Sequence, residues 1–225
     1  MDHIFTLHAI INMYINKRKR VYCAFIYYRK AFDFIDRCSL WSKMIAMGIN
    51  GRLLNVIRNL YKNAKSCVKN DGKMSQYFQC NVGVRQGENL SPLLFAIFLN
   101  DFEYSISRKY KGLNDLATDI NHYLSDGDVE HFLRIFALLY ADDTIVLAES
   151  PEQLQLALNA VHEYCENWDL TVNTNKTKIV IFSKGRVTSY PAFVFGHRNI
   201  EVVDDYVYLG VVFNYNGKFH KAIAK

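Results

Sequence analysis

Hydrophobic residues recur at helical spacing in some parts of this chain and form compact runs in others. Helical spacing predicts amphipathic helices over 4–16, over 51–64 and from Pro151 to about Trp168. The apolar run VYCAFIY at 21–27 predicts a strand that is buried on both faces. Further strands are predicted over 178–182, 192–196, 199–203 and 206–213, with a hairpin over 66–82 that turns at Asn70-Asp71-Gly72. This mixture of elements predicts an α+β fold.

Three serines are predicted to start helices. Ser39 is expected to cap a short helix that ends at Gly48. Ser91 is expected to cap a helix that has Pro92 in its first turn and continues through LLFAIFLNDFEYSI. Ser150 starts the next helix, with Gln153 at the capping-box position. The polar and acidic residues 112–130 are expected to form a surface excursion.

Composition restricts the class of protein. The chain has 225 residues, half of them hydrophobic, which is enough for one core or for one domain with a subdomain. Its five cysteines are odd in number and include no CxxC pair, so an intracellular setting is favoured over a disulfide framework or a zinc site. No apolar run approaches the length that spans a membrane. The net charge of +5 is compatible with nucleic acid without being specific for it.

The segment FALLYADDTIVLA at 136–148 carries the most informative chemistry. Its two apolar runs predict two strands, with Asp142 and Asp143 at or near the tip of the hairpin. Burying two neighbouring carboxylates is costly unless a cation or a polar partner compensates for them. A divalent metal such as Mg²⁺ would do so, because it binds oxygen ligands. The alternative is an exposed turn, in which Asp is common.

A glycine-bounded loop over 83–87 leads into the helix that Ser91 opens. Free backbone N–H groups at a helix N-terminus suit a phosphate, and Gly87 permits close approach of a ligand to the backbone. The alternative is a plain connection between a hairpin and a helix. Three other segments accompany this loop, KAFD at 30–33, NTNKTK at 173–178 and YLG at 208–210.

In this order, KAFD, GVRQGENLSPLLF, YADD, NTNKTK and YLG resemble the reverse transcriptase domain of non-LTR (LINE-type) retrotransposons. The resemblance covers nearly the whole chain and implies a right-hand polymerase. It assigns 1–90 to partial fingers and the first palm strand, 91–213 to the palm, and 214–225 to a truncated start of the thumb. The chain is therefore expected to be a fragment of a longer element protein.

The resemblance also implies roles for individual residues. Asp142 and Asp143 are expected to hold two Mg²⁺ ions for nucleotidyl transfer. Phe32, Gln86, Gly87 and Lys176 are expected to contact the incoming nucleotide, with Phe32 excluding a ribose 2′ hydroxyl and Lys176 beside the leaving phosphate. The residues expected to contact primer or template are Arg29, Lys30, Arg85, Tyr206, Leu209 and Gly210. The implied partners are an RNA template, a DNA primer and dNTPs, in the nucleus or a cytoplasmic ribonucleoprotein. A membrane partner is not expected, and the oligomeric state is left open.

One position departs from the family pattern. In FxDxxKAFD an aspartate lies six positions before the Asp of KAFD, and Tyr27 occupies that position here. In the family this aspartate bridges both metal ions. A phenol is neutral at pH 7, is bulkier than a carboxylate and is a poor ligand for Mg²⁺. We therefore predict weakened Mg²⁺ binding and an inactive or impaired copy. Two alternatives are a catalytically dead remnant that still binds nucleic acid, and an unrelated α+β interaction domain whose Asp pair is a turn.

Overall fold

The chain forms two compact units in a computed structural model that describes residues 2–110, 112–113, 137–140 and 143–221. The first unit comprises Met1–Tyr28, Phe102–Cys165 and Val172–Lys225. The second unit comprises Arg29–Asp101 and Glu166–Thr171. Asp142 and most of the predicted excursion at 112–130 lie outside the described residues.

A six-stranded sheet is the centre of the first unit. Its strands are β1 (Val21–Tyr27), β6 (Ala137–Tyr140), β7 (Asp143–Ala148), β8 (Lys178–Phe182), β9 (Phe193–Phe195) and β10 (Arg198–Val202). They lie in the order β6-β7-β1-β8-β10-β9, and every pairing is antiparallel except that of β8 with β10. The predicted strand at 21–27 is confirmed, as is the hairpin formed by β6 and β7.

A helix and a second sheet contribute to the core of this unit. The helix α1 (Asp2–Asn16) places Leu7, Ile11 and Tyr14 in one cluster with Phe25 of β1. The second sheet comprises β11 (Asp205–Tyr208), β12 (Val211–Asn214) and β13 (Phe219–Lys221). Two further helices complete the described part of the unit, α5 (Phe102–Ser107) and α6 (Pro151–Asn167). Six consecutive residues of β1, 21–26, are buried, so this strand is covered on both faces as its apolar run predicts.

The second unit consists of helices and two short ribbons. Its helices are α2 (Arg37–Ala46), α3 (Gly51–Lys62) and α4 (Ser91–Phe98). One ribbon pairs β2 (Lys65–Ser66) with β5 (Phe78–Gln79), and the other pairs β3 (Lys69–Asn70) with β4 (Lys73–Met74). Asn70 pairs with Lys73, so the predicted turn at Asn70-Asp71-Gly72 is confirmed.

Two of the three predicted serine caps are wrong. The N-cap of α2 is Asp36, whose carboxylate accepts a hydrogen bond of 2.6 Å from the backbone N–H of Ser39. Asp competes well for this position because its side chain is a charged acceptor. Ser91 is the first residue of α4 rather than its cap, and its hydroxyl donates to the carbonyl of Arg85. At α6, Ser150 accepts from the N–H of Gln153 at 3.2 Å, as the capping box predicts.

Two predicted elements are interrupted. The strand predicted over 206–213 is a hairpin of β11 and β12, because Leu209 and Gly210 have φ angles of 47° and 76° and reverse the chain. The helix predicted to continue from Ser91 ends at Phe98, where turn hydrogen bonds replace the helical pattern, and α5 begins at Phe102. In the part of the chain that the structure describes, no helix is both long enough and apolar enough to cross a membrane.

Candidate active site

Tyr27 and Asp143 lie directly opposite each other, where β1 ends and β7 begins. The backbone N–H of Tyr27 donates to the hydroxyl of Thr177 at 3.1 Å, and its carbonyl accepts from the N–H of Asn173 at 2.8 Å. Both backbone groups of Tyr27 therefore point away from Asp143. The two residues form a pair of the non-hydrogen-bonded type, in which the Cα atoms are about 4.5 Å apart and the side chains are close.

The segment NTNKTK at 173–178 is hydrogen-bonded to the end of β1 and positions Lys176. The carbonyl of Asn173 accepts from the N–H of Lys176 at 3.0 Å and from that of Thr177 at 2.9 Å. This turn places the Lys176 ammonium 4.5 Å from the centre of the Tyr27 ring. Lys176 is exposed, whereas Thr177 is fully buried. A cation, a phenol and a carboxylate thus come together at this edge of the sheet.

Tyr206 completes the group of predicted residues in the first unit. Its ring stacks on that of Phe25 with centroids 4.4 Å apart, on the sheet face that Phe25 shares with Tyr27. Burial raises the pKa of the Tyr206 phenol above its usual value, and the nearby charge of Asp143 raises it further. The stack on Phe25 therefore places Tyr206 on the same face of the sheet as Tyr27. Leu209 and Gly210 form the turn that follows Tyr206 in the β11–β12 hairpin.

The KAFD and glycine-loop segments meet in the second unit. The N–H of Val84 donates to the carbonyl of Phe32 at 2.7 Å, and the N–H of Gly83 donates to that of Ile35 at 2.9 Å. A Cβ atom at Gly83 would lie 2.5 Å from the carbonyl oxygen of Asp33, so this approach requires glycine. The ring of Phe32 packs against that of Phe95, with centroids 5.1 Å apart.

The polar residues of these two segments are partly engaged with each other. The amide nitrogen of Gln86 donates to the carboxylate of Asp33 at 3.0 Å. The Arg85 guanidinium donates to Glu88 at 2.8 Å and to the carbonyl of Leu60 at 2.9 Å. Gly87 has a φ of 84° and open space where a Cβ would lie. Close approach of a ligand to its backbone is therefore sterically possible.

The structure shows where the predicted site residues lie and adds two residues that sequence reasoning missed. The structure brings Tyr27, Asp143, Lys176 and Tyr206 together in the first unit, and it places Arg29, Lys30, Phe32, Arg85, Gln86 and Gly87 in the second unit. Asn173 and Thr177 were missed as residues that hold the end of β1. An Asn three residues before Lys176 was the available signal, because Asn side chains favour such turns.

Of the two predicted carboxylate ligands, the structure describes Asp143, whereas Asp142 lies outside the described residues. Within 2–110, 112–113, 137–140 and 143–221, no three His, Cys, Asp or Glu side chains gather closely enough to hold a metal ion. At the Tyr27 position there is a phenol beneath an ammonium instead of a carboxylate. Mg²⁺ requires oxygen ligands in near-ideal octahedral geometry, and a neutral phenol beside a cation does not supply one.

Several proteins with sequences similar to this chain come from insect mobile elements. It is 26% identical to a retrovirus-related Pol polyprotein from the type-1 retrotransposable element R2 of Nasonia vitripennis, over 94% of this chain and 20% of that protein. It is 25% identical to the RNA-directed DNA polymerase from mobile element jockey of Drosophila funebris, over 96% of this chain and 22% of that protein. The chain thus spans about a fifth of the length of these relatives.

Telomerases are among the solved structures that resemble the fold. Apo telomerase from Candida tropicalis, truncated from its C-terminal domain, superposes with a TM-score of 0.61 at 14% identity, over 98% of this chain and 40% of that one. Telomerase of the same organism in complex with a fragment of telomeric RNA gives a TM-score of 0.60 at 16% identity, over 98% and 32% of the two chains. These likenesses show a mixed helix and sheet fold similar to the telomerase reverse transcriptase core.

The family model described as reverse transcriptase (RNA-dependent DNA polymerase) matches residues 2–213. This match covers both units, so the alternative of an unrelated α+β interaction domain is wrong. The relatives from R2 and jockey elements are proteins of non-LTR retrotransposons. The chain therefore belongs to the reverse transcriptase family and is a reverse transcriptase domain of the non-LTR retrotransposon type.

Proposed function

We propose that this chain is part of an RNA-directed DNA polymerase whose nucleotidyl transfer is impaired by Tyr27. The observation that carries the proposal is the direct pairing of Tyr27 with Asp143. A carboxylate at position 27 would stand beside Asp143, where paired acidic side chains could share metal ions. Tyr27 instead offers a neutral ring, over which the Lys176 ammonium lies 4.5 Å from the centroid.

The family generally uses divalent metal ions, which stabilise charge that develops on phosphate oxygens. Our proposal is that Asp142 and Asp143 are the remaining metal ligands of this copy, and that two-ion binding is weakened because the third carboxylate is absent. The other residues described at this edge contribute to binding and orientation. Lys176 supplies positive charge at the edge, and the Phe25–Tyr206 stack supports the sheet face beneath it.

The proposed partners are an RNA template, a DNA primer and dNTPs. Phe32, Gln86 and Gly87 are proposed to contact the nucleotide, and the packing of Phe32 on Phe95 supports a fixed ring position. Arg29 and Lys30 are exposed and are proposed to contact phosphates. The division into palm, partial fingers and start of thumb stays a prediction.

Primer extension on an RNA template with Mg²⁺ tests the proposal. We expect Tyr27→Asp to extend the primer about a hundredfold or more faster than the parent chain, because it restores a carboxylate to the site. Tyr27→Asn is the matched control, because asparagine has nearly the size of aspartate but no charge. Its rate of primer extension should stay as low as that of the parent chain. Adding Asp143→Asn to Tyr27→Asp should abolish the gain.

Two outcomes would refute the proposed impairment. One is robust synthesis by the parent chain at the rate of Tyr27→Asp. The other is equal gain from Tyr27→Asn, which would mean that removal of the ring rather than the new carboxylate restores activity. If the 225-residue chain and its variants give no product, the same comparison is made in a chain extended to the length of its relatives.

The second candidate is a catalytically dead protein that still binds nucleic acid. The net charge of +5 favours it. It predicts salt-dependent binding of an RNA–DNA hybrid by the parent chain, with no synthesis by Tyr27→Asp in the extended chain either.

A further inference from the structure

The net positive charge of the chain is concentrated in one segment of the second unit. Residues 51–82, here called the basic segment, hold six of the 27 Lys and Arg residues but only one of the 22 Asp and Glu residues, Asp71. The rest of the chain is therefore balanced, with 21 basic and 21 acidic residues. The six cations of the basic segment are Arg52, Arg58, Lys62, Lys65, Lys69 and Lys73. All six are exposed, and none has an ion-pair partner among the described residues.

The two ribbons of this segment have no packed face. All eight residues of β2, β3, β4 and β5 are exposed. Two neighbouring aromatic side chains on this surface, Tyr77 and Phe78, are 67% and 51% exposed. Small isolated ribbons gain little stability from such positions, so exposed aromatic rings there need another explanation.

A cleft at the base of the ribbons joins an aromatic ring to positive charge. It has a volume of 530 Å³, and its lining includes Phe78, three basic residues, Lys65, Arg37 and Arg85, and one acidic residue, Asp33. Clefts that bind small ligands have volumes of about 300–1,000 Å³, so this one is large enough for a nucleobase with its sugar and phosphate. Arg37 holds the walls of the cleft by donating to the carbonyls of Tyr61, Cys80, Val82 and Gly83.

We propose that the basic segment is a binding surface for a single-stranded nucleic acid. Lys65, Lys69 and Lys73 pair with phosphates, with Lys69 and Lys73 on opposite faces of the β3–β4 ribbon, while Tyr77 and Phe78 stack on unpaired bases. Charge complementarity favours a polyanion, because six unpaired cations face solvent with one acidic residue among them. Exposed rings favour a single strand, because the bases of a duplex are already stacked on each other.

The inference deepens the proposed function by naming a surface for one of its partners. It does not require catalysis, so the two proposals fail separately. Binding is measured in EDTA, without Mg²⁺ or dNTPs, and the Tyr27 site is not altered. An extended Tyr27→Asp chain that binds but never extends a primer would refute the proposed polymerase alone, and a Tyr27→Asp chain that polymerises without using this surface would refute this inference alone.

Fluorescence anisotropy with labelled 20-nucleotide RNA and DNA strands provides the first test. We expect the triple variant Lys65→Gln, Lys69→Gln, Lys73→Gln to bind at least about tenfold more weakly at low salt, and the slope of log affinity against log salt to fall by about 2. The matched control is Lys184→Gln, Arg198→Gln, Lys218→Gln in the first unit, which removes the same charge from exposed positions and should bind as the parent chain does. Equal weakening by both triple variants, or by neither, would overturn the proposal.

Aromatic variants test the stacking step separately. Tyr77→Ala with Phe78→Ala should weaken binding about tenfold and leave the salt slope unchanged, because stacking is not electrostatic. Tyr104→Ala, at a residue 70% exposed in the first unit, is the matched control and should have no effect. Binding of a 20-base-pair duplex as tight as that of the single strand would contradict the stacking step.

Photocrosslinking keeps the inference testable if a variant fails to fold. With the unaltered chain and a strand that contains 5-iodouridine, adducts are expected at Tyr77 or Phe78. Adducts confined to other parts of the chain would overturn the inference. Absence of binding of either strand at low salt would also overturn it, and a protein would then be the alternative partner for the ribbons.

Discussion

The ammonium nitrogen of Lys176 lies 4.5 Å from the centre of the Tyr27 ring, and Asp143 is the strand partner of that same tyrosine. A cation over an aromatic face contributes about 0.5–1 kcal/mol at an exposed site. The contact with Lys176 therefore stabilises the position of the Tyr27 ring. Replacing it by aspartate exchanges a cation–π contact for an ion pair with Lys176 and brings a second carboxylate opposite Asp143.

Tyr27→Asp should make the stability of the chain depend on Mg²⁺. The new carboxylate supplies an oxygen ligand beside Asp143, so Mg²⁺ at about tenfold over its dissociation constant should raise the free energy of unfolding by about 1.4 kcal/mol. Denaturant unfolding with Mg²⁺ and with EDTA measures the difference. The parent chain and Tyr27→Asn should show a clearly smaller difference between Mg²⁺ and EDTA. An equal response from Tyr27→Asn would show that the effect does not come from the new carboxylate.

Gly83→Ala should destabilise the second unit by about 2 kcal/mol or more. Gly83 has a φ of 77°, and its added Cβ would lie 2.5 Å from the carbonyl oxygen of Asp33, so the variant suffers both backbone strain and a steric clash. Gly48→Ala is the control, because its φ is 83° but nothing lies within 4 Å of the added atom. Denaturant unfolding should show a clearly smaller loss for Gly48→Ala, and equal losses would exclude a role for the close approach.

Arg37→Lys should loosen the base of the ribbons. The Arg37 guanidinium donates at 2.7 to 3.1 Å to the carbonyls of Gly83, Cys80, Tyr61 and Val82. One ammonium group cannot donate to all four carbonyls as the planar guanidinium does. We therefore expect a loss of about 2 kcal/mol in the free energy of unfolding. Limited proteolysis should cut within 65–82 faster than in the parent chain. Arg58→Lys, on the exposed face of α3, is the control, and equal sensitivity of the two variants would contradict the argument.

Asp101→Asn should destabilise the second unit more than Lys43→Met does. The buried Lys43 ammonium lies 2.6 Å from the carbonyl of Phe98, 2.5 Å from the Asp101 carboxylate and 3.5 Å from the ring centre of Trp168. Losing the carboxylate leaves a buried cation with less compensation, for which we expect about 2 kcal/mol. Lys43→Met removes the charge together with its desolvation penalty and should cost less. Denaturant unfolding at pH 7 ranks the two variants, and the reverse order would refute the argument.

The same lysine should give a pH dependence of known sign. Burial lowers the pKa of Lys43 below its usual value, although Asp101 opposes this shift. Between the folded and unfolded pKa values the unfolded chain binds more protons, so stability rises with pH there. The stability gained from this shift is fully present above the pKa of Lys43 in the unfolded chain, about 10.4. It is lost as pH falls through the pKa of Lys43 in the folded chain. Relative to Lys43→Met, the parent chain should therefore gain stability on going from neutral pH toward pH 10, and a flat difference would contradict the shift.

Local chemistry allowed most elements to be predicted, and its failures have local causes. The strand at 21–27 was predictable because its apolar run is continuous. The cap of α2 was misassigned because Asp36 and Ser39 are both good cap residues, and only the backbone geometry selects one. The break at Leu209-Gly210 was missed because Leu rarely adopts a positive φ.

For the candidate site, the motifs indicated which residues to compare but not how they touch. The sequence placed Tyr27 where the family pattern has an aspartate, and strand pairing then put it opposite Asp143. The contact between Lys176 and the Tyr27 ring was not predictable, because it depends on a turn held by Asn173 and Thr177.

The sequence by itself determined the helices and strands, the order of the motifs, the family and the substitution at position 27, because each depends on residues close together in the chain or on their order. Only the tertiary structure decided that Lys176 lies over Tyr27, that Arg37 joins four carbonyls, and that Lys65, Phe78 and Arg85 line one cleft. These contacts join residues that are distant in sequence, and the register and packing that bring them together leave no periodic signal in the chain.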